Sequence, residues 1–270
     1  MQVQLKPPTE QTFLLIDGLN IVRRVYEANL APDSADKAQG AVRSSLASFK
    51  RALFEHKPDY ALAAFDHGGN TWRHDLYALY RQKRKPMPQV LRDVIPQLRE
   101  QLADIGLLSL SIPGVEADDT MAAAFFTWSK LGRGPATVMS TDKDMAYLVA
   151  FGARVRDHFK LEWRDEAWIQ AKFGVPAALL QDLLALTGDS SDDIPGVVDV
   201  GAKTAAGWLN QHGSLENVLL AADTIKGKRG DNLRAGIDMA RLSRQLVAFK
   251  TDMPLGINLS SLRMREPVAA

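Results

Sequence analysis

The sequence predicts an α/β protein, with a mostly parallel central sheet flanked by helices and then a helical C-terminal region. Three observations carry this. Four short apolar runs recur, each leading to an acid-bearing turn. Helical stretches such as Gln39 to His56 and Ala117 to Lys130 separate them. After about Asp165 the strand pattern stops. Strands alternating with helices imply parallel pairing, with both faces of the sheet covered.

In order along the chain, Phe13 to Ile16 reads as a buried strand ending in Asp17-Gly18, and Tyr60 to Phe65 repeats the pattern before Asp66. Leu107 to Ile112 precedes Pro113-Gly114, with Glu116, Asp118 and Asp119 just beyond. Ala136 to Met139 precedes Ser140-Thr141-Asp142. Helices are expected over Glu166 to Phe173 and Ala177 to Thr187, and a final one over Leu233 to Phe249. Residues 1–164 form the α/β core in this reading, and 165–270 the helical region. Parallel sheets bind ligands at the carboxyl ends of their strands, where these acids fall.

At 270 residues and 46% hydrophobic, the chain can bury a full core. It has no cysteine, which excludes disulfides, thiolate metal sites and a cysteine nucleophile. No apolar run approaches the roughly 18 residues of a membrane span. Met1 to Gln11 is polar and carries two prolines, unlike a leader peptide. A cytoplasmic monomer is expected.

Nine acids form the candidate metal cluster: Asp17, Asp66, Glu116, Asp118, Asp119, Asp142, Asp144, Asp189 and Asp192. Any one alone is an ordinary cap or turn residue. Together they come from five segments, each at an expected strand or helix end. Oxygen ligands without His or Cys suit Mg²⁺ or Mn²⁺. Two carboxylates about 5 Å apart repel by about 3 kcal/mol even at an effective dielectric of 20, so convergence demands cations. Two such ions can clamp the attacking and leaving oxygens of a phosphodiester. Removing these nine acids from the 32 leaves 23 against 33 bases, the balance of a polyanion binder.

Two further segments suit nucleic acid. From Gly188 to Ala205, Pro195 to Gly201 reads as a short hairpin opening onto a helix near Lys203. Exposed amides at Gly196, Gly201 and Thr204, with the charge of Lys203, can hold backbone phosphate without reading bases. Between Trp72 and Lys85, five bases interleave with three aromatics, among them Arg73, Tyr77, Tyr80, Arg81, Lys83 and Arg84. Charges and rings in alternation suit a single strand.

These motifs taken together resemble the 5′-nuclease superfamily, which includes the 5′-exonuclease domain of bacterial DNA polymerase I, phage flap nucleases and the stand-alone exonuclease IX type. The resemblance rests on Leu15-Ile16-Asp17-Gly18, Phe65-Asp66, Gly114 to Asp119, Ser140 to Asp144 and Gly188 to Asp192, and it spans Leu14 to about Leu255. It implies a PIN-like 5′-nuclease fold with a helical arch at about 70–95 and a helix-hairpin-helix-type motif at about 189–210. It also implies two-metal cleavage of DNA near 5′ ends and 5′ flaps. Asp17, Asp66, Glu116, Asp118 and Asp119 would serve a first metal, and Asp142, Asp144, Asp189 and Asp192 a second. Arg73, Arg81 and Arg84 would contact the scissile phosphate, and the hairpin carbonyls of Val197 and Val200 would hold K⁺. Two positions depart from the family pattern. Asp199 stands where the hairpin usually has glycine. Arg81 stands where the arch has lysine, and since arginine cannot exchange a proton near neutral pH, any acid–base role would fall to Lys83. The alternatives are a non-catalytic or weakly active DNA-junction binder, a PIN-type ribonuclease, and a small-molecule phosphatase, the last of which has little use for hairpin or arch.

Overall fold

In a computed structural model, which describes residues 11–264, six strands form one sheet in the order β3-β2-β1-β4-β5-β6. They are β1 (Phe13–Asp17), β2 (Tyr60–Ala64), β3 (Leu108–Leu110), β4 (Ala136–Met139), β5 (Arg154–Asp157) and β6 (Glu162–Trp163). The first five are parallel, and β6 turns back antiparallel on β5. The Met1 to Gln11 reading falls almost wholly outside the described residues.

Strand periodicity explains the two-sided core. Leu14 and Ile16 point to one face, where they pack with Ile21, Val42, Phe49 and Leu98. Phe13 and Leu15 point to the other, against Met121, Phe125 and Trp128. Side chains alternate across a strand, so both faces of β1 must be apolar. The first face is covered by α1 (Gly18–Ala28), α2 (Ala35–His56), α4 (Gln89–Arg92) and α5 (Ile95–Asp104), and the second by α6 (Ala117–Lys130). The chain steps outward from β1 to β2 and β3, then returns to place β4 on the other side of β1. Such a reversal opens a crevice at the carboxyl ends of β1 and β4. Asp17 and Asp142 stand on its two sides.

The C-terminal region has its own core of Leu180, Leu183, Leu186, Leu209, Val218 and Leu233. It comprises α7 (Glu166–Phe173), α8 (Leu180–Thr187), α9 (Ala202–His212), α10 (Leu215–Leu220), α11 (Lys228–Ala235) and α12 (Ile237–Val247). The single final helix expected over Leu233 to Phe249 is two helices broken at Gly236. A Cβ there would lie 3.0 Å from the carbonyl oxygen of Asn232 and 3.2 Å from Val197.

The expected helical arch also needs correction. Between residues 70 and 88 only α3 (Trp72–Leu76) is helical, and residues 77–88 run through turns and irregular backbone. Arg81 adopts a left-handed backbone (φ 54°), which a continuous helix does not permit. The segment lies down because Tyr80 is buried with Leu184, Ile194, Leu246 and Val247, under Tyr77.

Turn and helix meet most closely at Gly188 and Gly196. A Cβ on Gly196 would sit 2.2 Å from the Gly188 nitrogen, and Gly196 has φ 64°. Backbone strain of about 1–2 kcal/mol adds to overpacking of about 1–3 kcal/mol. Gly196→Ala is therefore expected to cost about 2–5 kcal/mol in urea denaturation. A loss under about 1 kcal/mol would show that the two strands of backbone are not in contact.

At the sheet's outer edge, the Trp163 indole lies beneath Arg154 and Arg156, at 4.7 and 5.3 Å. No helix among the described residues is long and apolar enough to cross a membrane.

Candidate active site

The strand ends deliver the acids as the sequence implies. Asp17 closes β1 and caps α1, accepting from the Asn20 amide at 3.0 Å and from Ser140 Oγ at 2.9 Å. Asp66 follows β2 and accepts from the Ala117 amide at 2.7 Å, at the N-terminus of α6. Glu116 and Asp118 flank that same helix start. Asp142 follows β4 and accepts from the Asp144 amide at 2.9 Å. Its turn is held from behind by Arg164, which donates to the carbonyls of Thr141 and Asp142 and pairs with Asp157 at 3.3 Å. Asn20 ties α1 to Thr141 by two side-chain contacts of 2.6 and 2.9 Å.

Asp17, Asp66, Glu116, Asp118 and Asp142 line one cavity of about 850 Å³. Burial, reinforced by the charges of Asp66 and Asp142, pushes Asp17 up to about 7 against two hydrogen bonds that favour its charge. Asp118 lies well above the carboxylate range through burial and the charges of Asp142, Asp17 and Asp66. Asp144 is raised similarly, by burial and then Asp142. Its buried Oδ1 has no hydrogen-bond donor. Asp142 thus faces both groups, the cavity acids on one side and Asp144 on the other.

The remaining acids are engaged by the protein's own cations. Asp192 accepts two bonds from Arg81, at 2.8 and 2.9 Å, and one from Tyr80 at 3.2 Å. Burial opposes charge on Asp192, but Arg81 holds it below the usual carboxylate range. Arg81 also reaches Glu116 at 3.1 Å. Lys143 pairs with Asp189, whose other oxygen takes the Ser191 amide and hydroxyl. Among the described residues no trio of acids or histidines closes into a finished metal cage.

Three expected contacts are placed elsewhere. Asp119 is fully buried, and its oxygens accept from both Arg73 terminal nitrogens, from Trp72 Nε1 and from the Lys250 amide. It does not face the cavity acids. Arg73 is buried too and is spent on these and other internal partners, so it cannot meet a phosphate at the surface. Tyr80 is 3% exposed, which leaves no face for stacking a base. Of the basic segment, Arg84 and Lys85 reach the cavity with Arg81, whereas Lys83 turns out to pair with Asp193.

Sequence reasoning missed Lys143 and Arg164 as partners of the acids. It also missed Arg23, Arg92 and Arg99, which line the cavity's far wall. Each is one base among several polar residues in its stretch of chain, so charge alone gave no signal.

In the helical region, Gly201 caps α9 and is exposed with Lys203, while Thr204 is half-buried. Asp199 takes the left-handed conformation (φ 58°) that a glycine would hold there. Its carboxylate is neutralised by Lys228 at 2.8 Å. Asn232 donates to the Val198 carbonyl at 3.0 Å, so α11 braces the hairpin.

Residues 12–174 match the family described as 5′-3′ exonuclease, N-terminal resolvase-like domain. Residues 175–270 match 5′-3′ exonuclease, C-terminal SAM fold. The chain is 36% identical over 258 residues to the flap endonuclease Xni of Vibrio cholerae, covering 95% of this chain and 98% of that one. It is 38% identical over 260 residues to that of Shewanella sediminis, covering 96% and 99%. A T5 5′-exonuclease structure with bound zinc superposes with a TM-score of 0.75 at 19% identity, over 89% of this chain and 90% of that one. The T5 D15 flap endonuclease in a pseudo-enzyme-product complex with DNA and metal ions gives 0.71 at 20% identity, over 89% and 90%.

Proposed function

The chain belongs to the 5′-3′ exonuclease family and is a structure-specific 5′-nuclease, and we propose that it hydrolyses DNA near 5′ ends and 5′ flaps with two divalent cations. The observation that carries the metal requirement is the crowd of acids at the crevice, where Asp17, Asp66, Asp118 and Asp142 meet with no salt bridge among the described residues, while Asp144 Oδ1 is buried without a hydrogen-bond donor, 3.8 Å from Lys143. Such groups fit hard divalent ions, Mg²⁺ first and Mn²⁺ second. Asp17, Asp66, Glu116, Asp118 and Asp142 would hold one ion. Asp142, Asp144, Asp189 and Asp192 would hold the other. Bound there, the ions would acidify a water and stabilise the charge of the leaving 3′ oxygen.

The chain's own groups do the rest. Arg81 and Arg84, at the cavity wall beside the acids, aim fixed positive charge at the scissile phosphate. Lys83 lies just outside and guides the strand, because its ammonium is almost fully exposed. Tyr77 and Tyr80 pack the segment that presents these bases. Gly196 to Thr204 grips the downstream duplex by its backbone, with Lys203 supplying charge. The Val197 and Val200 carbonyls can take K⁺ there, since each carbonyl has a second lone pair. Asp199 leaves this surface unharmed because Lys228 balances it. The enzyme acts as a monomer in the cytoplasm, on DNA.

End-labelled flap, nicked and overhang duplexes test this. In Mg²⁺ the products are expected to cluster within a few nucleotides of the single-strand to duplex junction, and chelator is expected to stop cleavage. Cleavage that persists in chelator, or equal cutting of RNA flaps, would sink the reading.

A further inference from the structure

Asp119 stands in the acidic motif yet behaves as a counter-ion. A carboxylate offers about four acceptor sites, and four donors fill them here. Arg73 Nη1 and Nη2 approach at 2.8 and 2.9 Å, Trp72 Nε1 at 2.9 Å and the Lys250 amide at 2.9 Å. Nothing is left for a cation. Arg73 is equally committed. Besides Asp119 it donates from Nε to the Leu246 carbonyl at 2.7 Å and from Nη2 to the Ala248 carbonyl at 2.9 Å. Its Nη1 also lies 3.2 Å from Glu116 Oε2.

Those carbonyls belong to the end of α12, where a helix has acceptors without internal donors and a partial negative charge. Gln181 takes the one between them, Val247, at 3.1 Å. The same helix holds the hairpin, since Ser243 Oγ accepts from the Gly196 amide at 3.2 Å. It is anchored to α8 by Arg244 and Asp182 at 2.6 Å. One rigid helix therefore touches the duplex-gripping turn at one point and, through Arg73, the metal-site acid Glu116 at another.

We propose that Asp119 and Arg73 are positioning residues that clasp the end of α12 and so fix the distance from the hairpin to the cleavage site. This rests on the nuclease reading above and adds a role that the acidic motif alone does not suggest. Arginine is needed because its planar fork meets the carboxylate and the carbonyls together, and lysine's point charge cannot.

Asp119→Asn and Arg73→Lys test it in the full-length protein, with their double variant. Groups that orient ligands from behind typically affect turnover about 10–100-fold. Both variants should lose turnover to that extent, and the double should be no worse than the poorer single. Mn²⁺ affinity, read by electron paramagnetic resonance, should stay within about twofold of wild type. Product lengths on a fixed flap duplex should spread by a nucleotide or more, which simple loss of stability does not cause. Amide exchange over residues 246–250 should quicken in both. If Asp119→Asn weakens Mn²⁺ binding tenfold while Arg73→Lys does not, Asp119 is a ligand and the proposal fails. It fails too if exchange and product lengths match wild type. A wild-type protein that does not cut would sink the nuclease reading alone, and exchange over 246–250 would still judge the clasp.

Discussion

Asp142→Asn should abolish cleavage, with kcat falling by on the order of 10³-fold or more, while flap DNA still binds in Ca²⁺. Asp142 is the acid that faces both groups, raising Asp17 and Asp118 on one side and Asp144 on the other. In the two-ion reading it is shared, so neutralising it weakens both positions at once. A loss of about 4 kcal/mol in transition-state stabilisation corresponds to about 10³-fold. The fold is not at risk, because the turn is held by backbone bonds to Arg164 and by the Ser140 hydroxyl, which asparagine leaves alone. The measurements are single-turnover cleavage and fluorescence anisotropy. Turnover within tenfold of wild type would remove Asp142 from the mechanism.

Arg81→Ala should move two quantities in opposite directions. Without DNA, Arg81 holds Asp192 by two bonds and Glu116 by a third contact, standing where a cation is wanted. Burial alone would lower its guanidinium, but Asp192 and Glu116 hold it above its ordinary value. Its removal takes one cation from each of two carboxylates, leaving Arg73 on Glu116 and Arg84 near Asp192, and should tighten Mn²⁺ binding severalfold in the DNA-free enzyme. Turnover should nonetheless fall about 10²–10³-fold, the usual effect of losing one donor to a developing anion. Titration calorimetry with Mn²⁺ and single-turnover kinetics measure the two arms. If both fall together, Arg81 is a scaffold for the acids and not a phosphate ligand.

What could be read from the sequence depended on where each signal was local. β1, β2 and β4 announce themselves because both faces are buried and nearly every position is apolar, Thr137 and the terminal Asp17 excepted. β5 does not, because Arg154 and Arg156 interrupt it next to the short outer strand. The acids at Asp17, Asp66 and Asp142 follow from strand ends, a local rule. Asp119 does not, since its partner is chosen by the approach of residues 246–250, more than a hundred positions away. The arch failed for a related reason: bases and aromatics at helical spacing say nothing about Tyr80 meeting Ile194 and Leu246. The break at Gly236 likewise depends on Val197, which periodicity cannot see.

The outer strand, two residues long with its indole roofed by two guanidinium groups, bears on behaviour at high concentration. A sheet margin invites recruitment of neighbouring molecules when it offers a long, flat row of free amides and carbonyls. Here the row is too brief to template an added strand, and its flank carries like charge that repels another copy. This margin of the sheet should therefore not seed cross-molecule sheet growth until the fold itself opens.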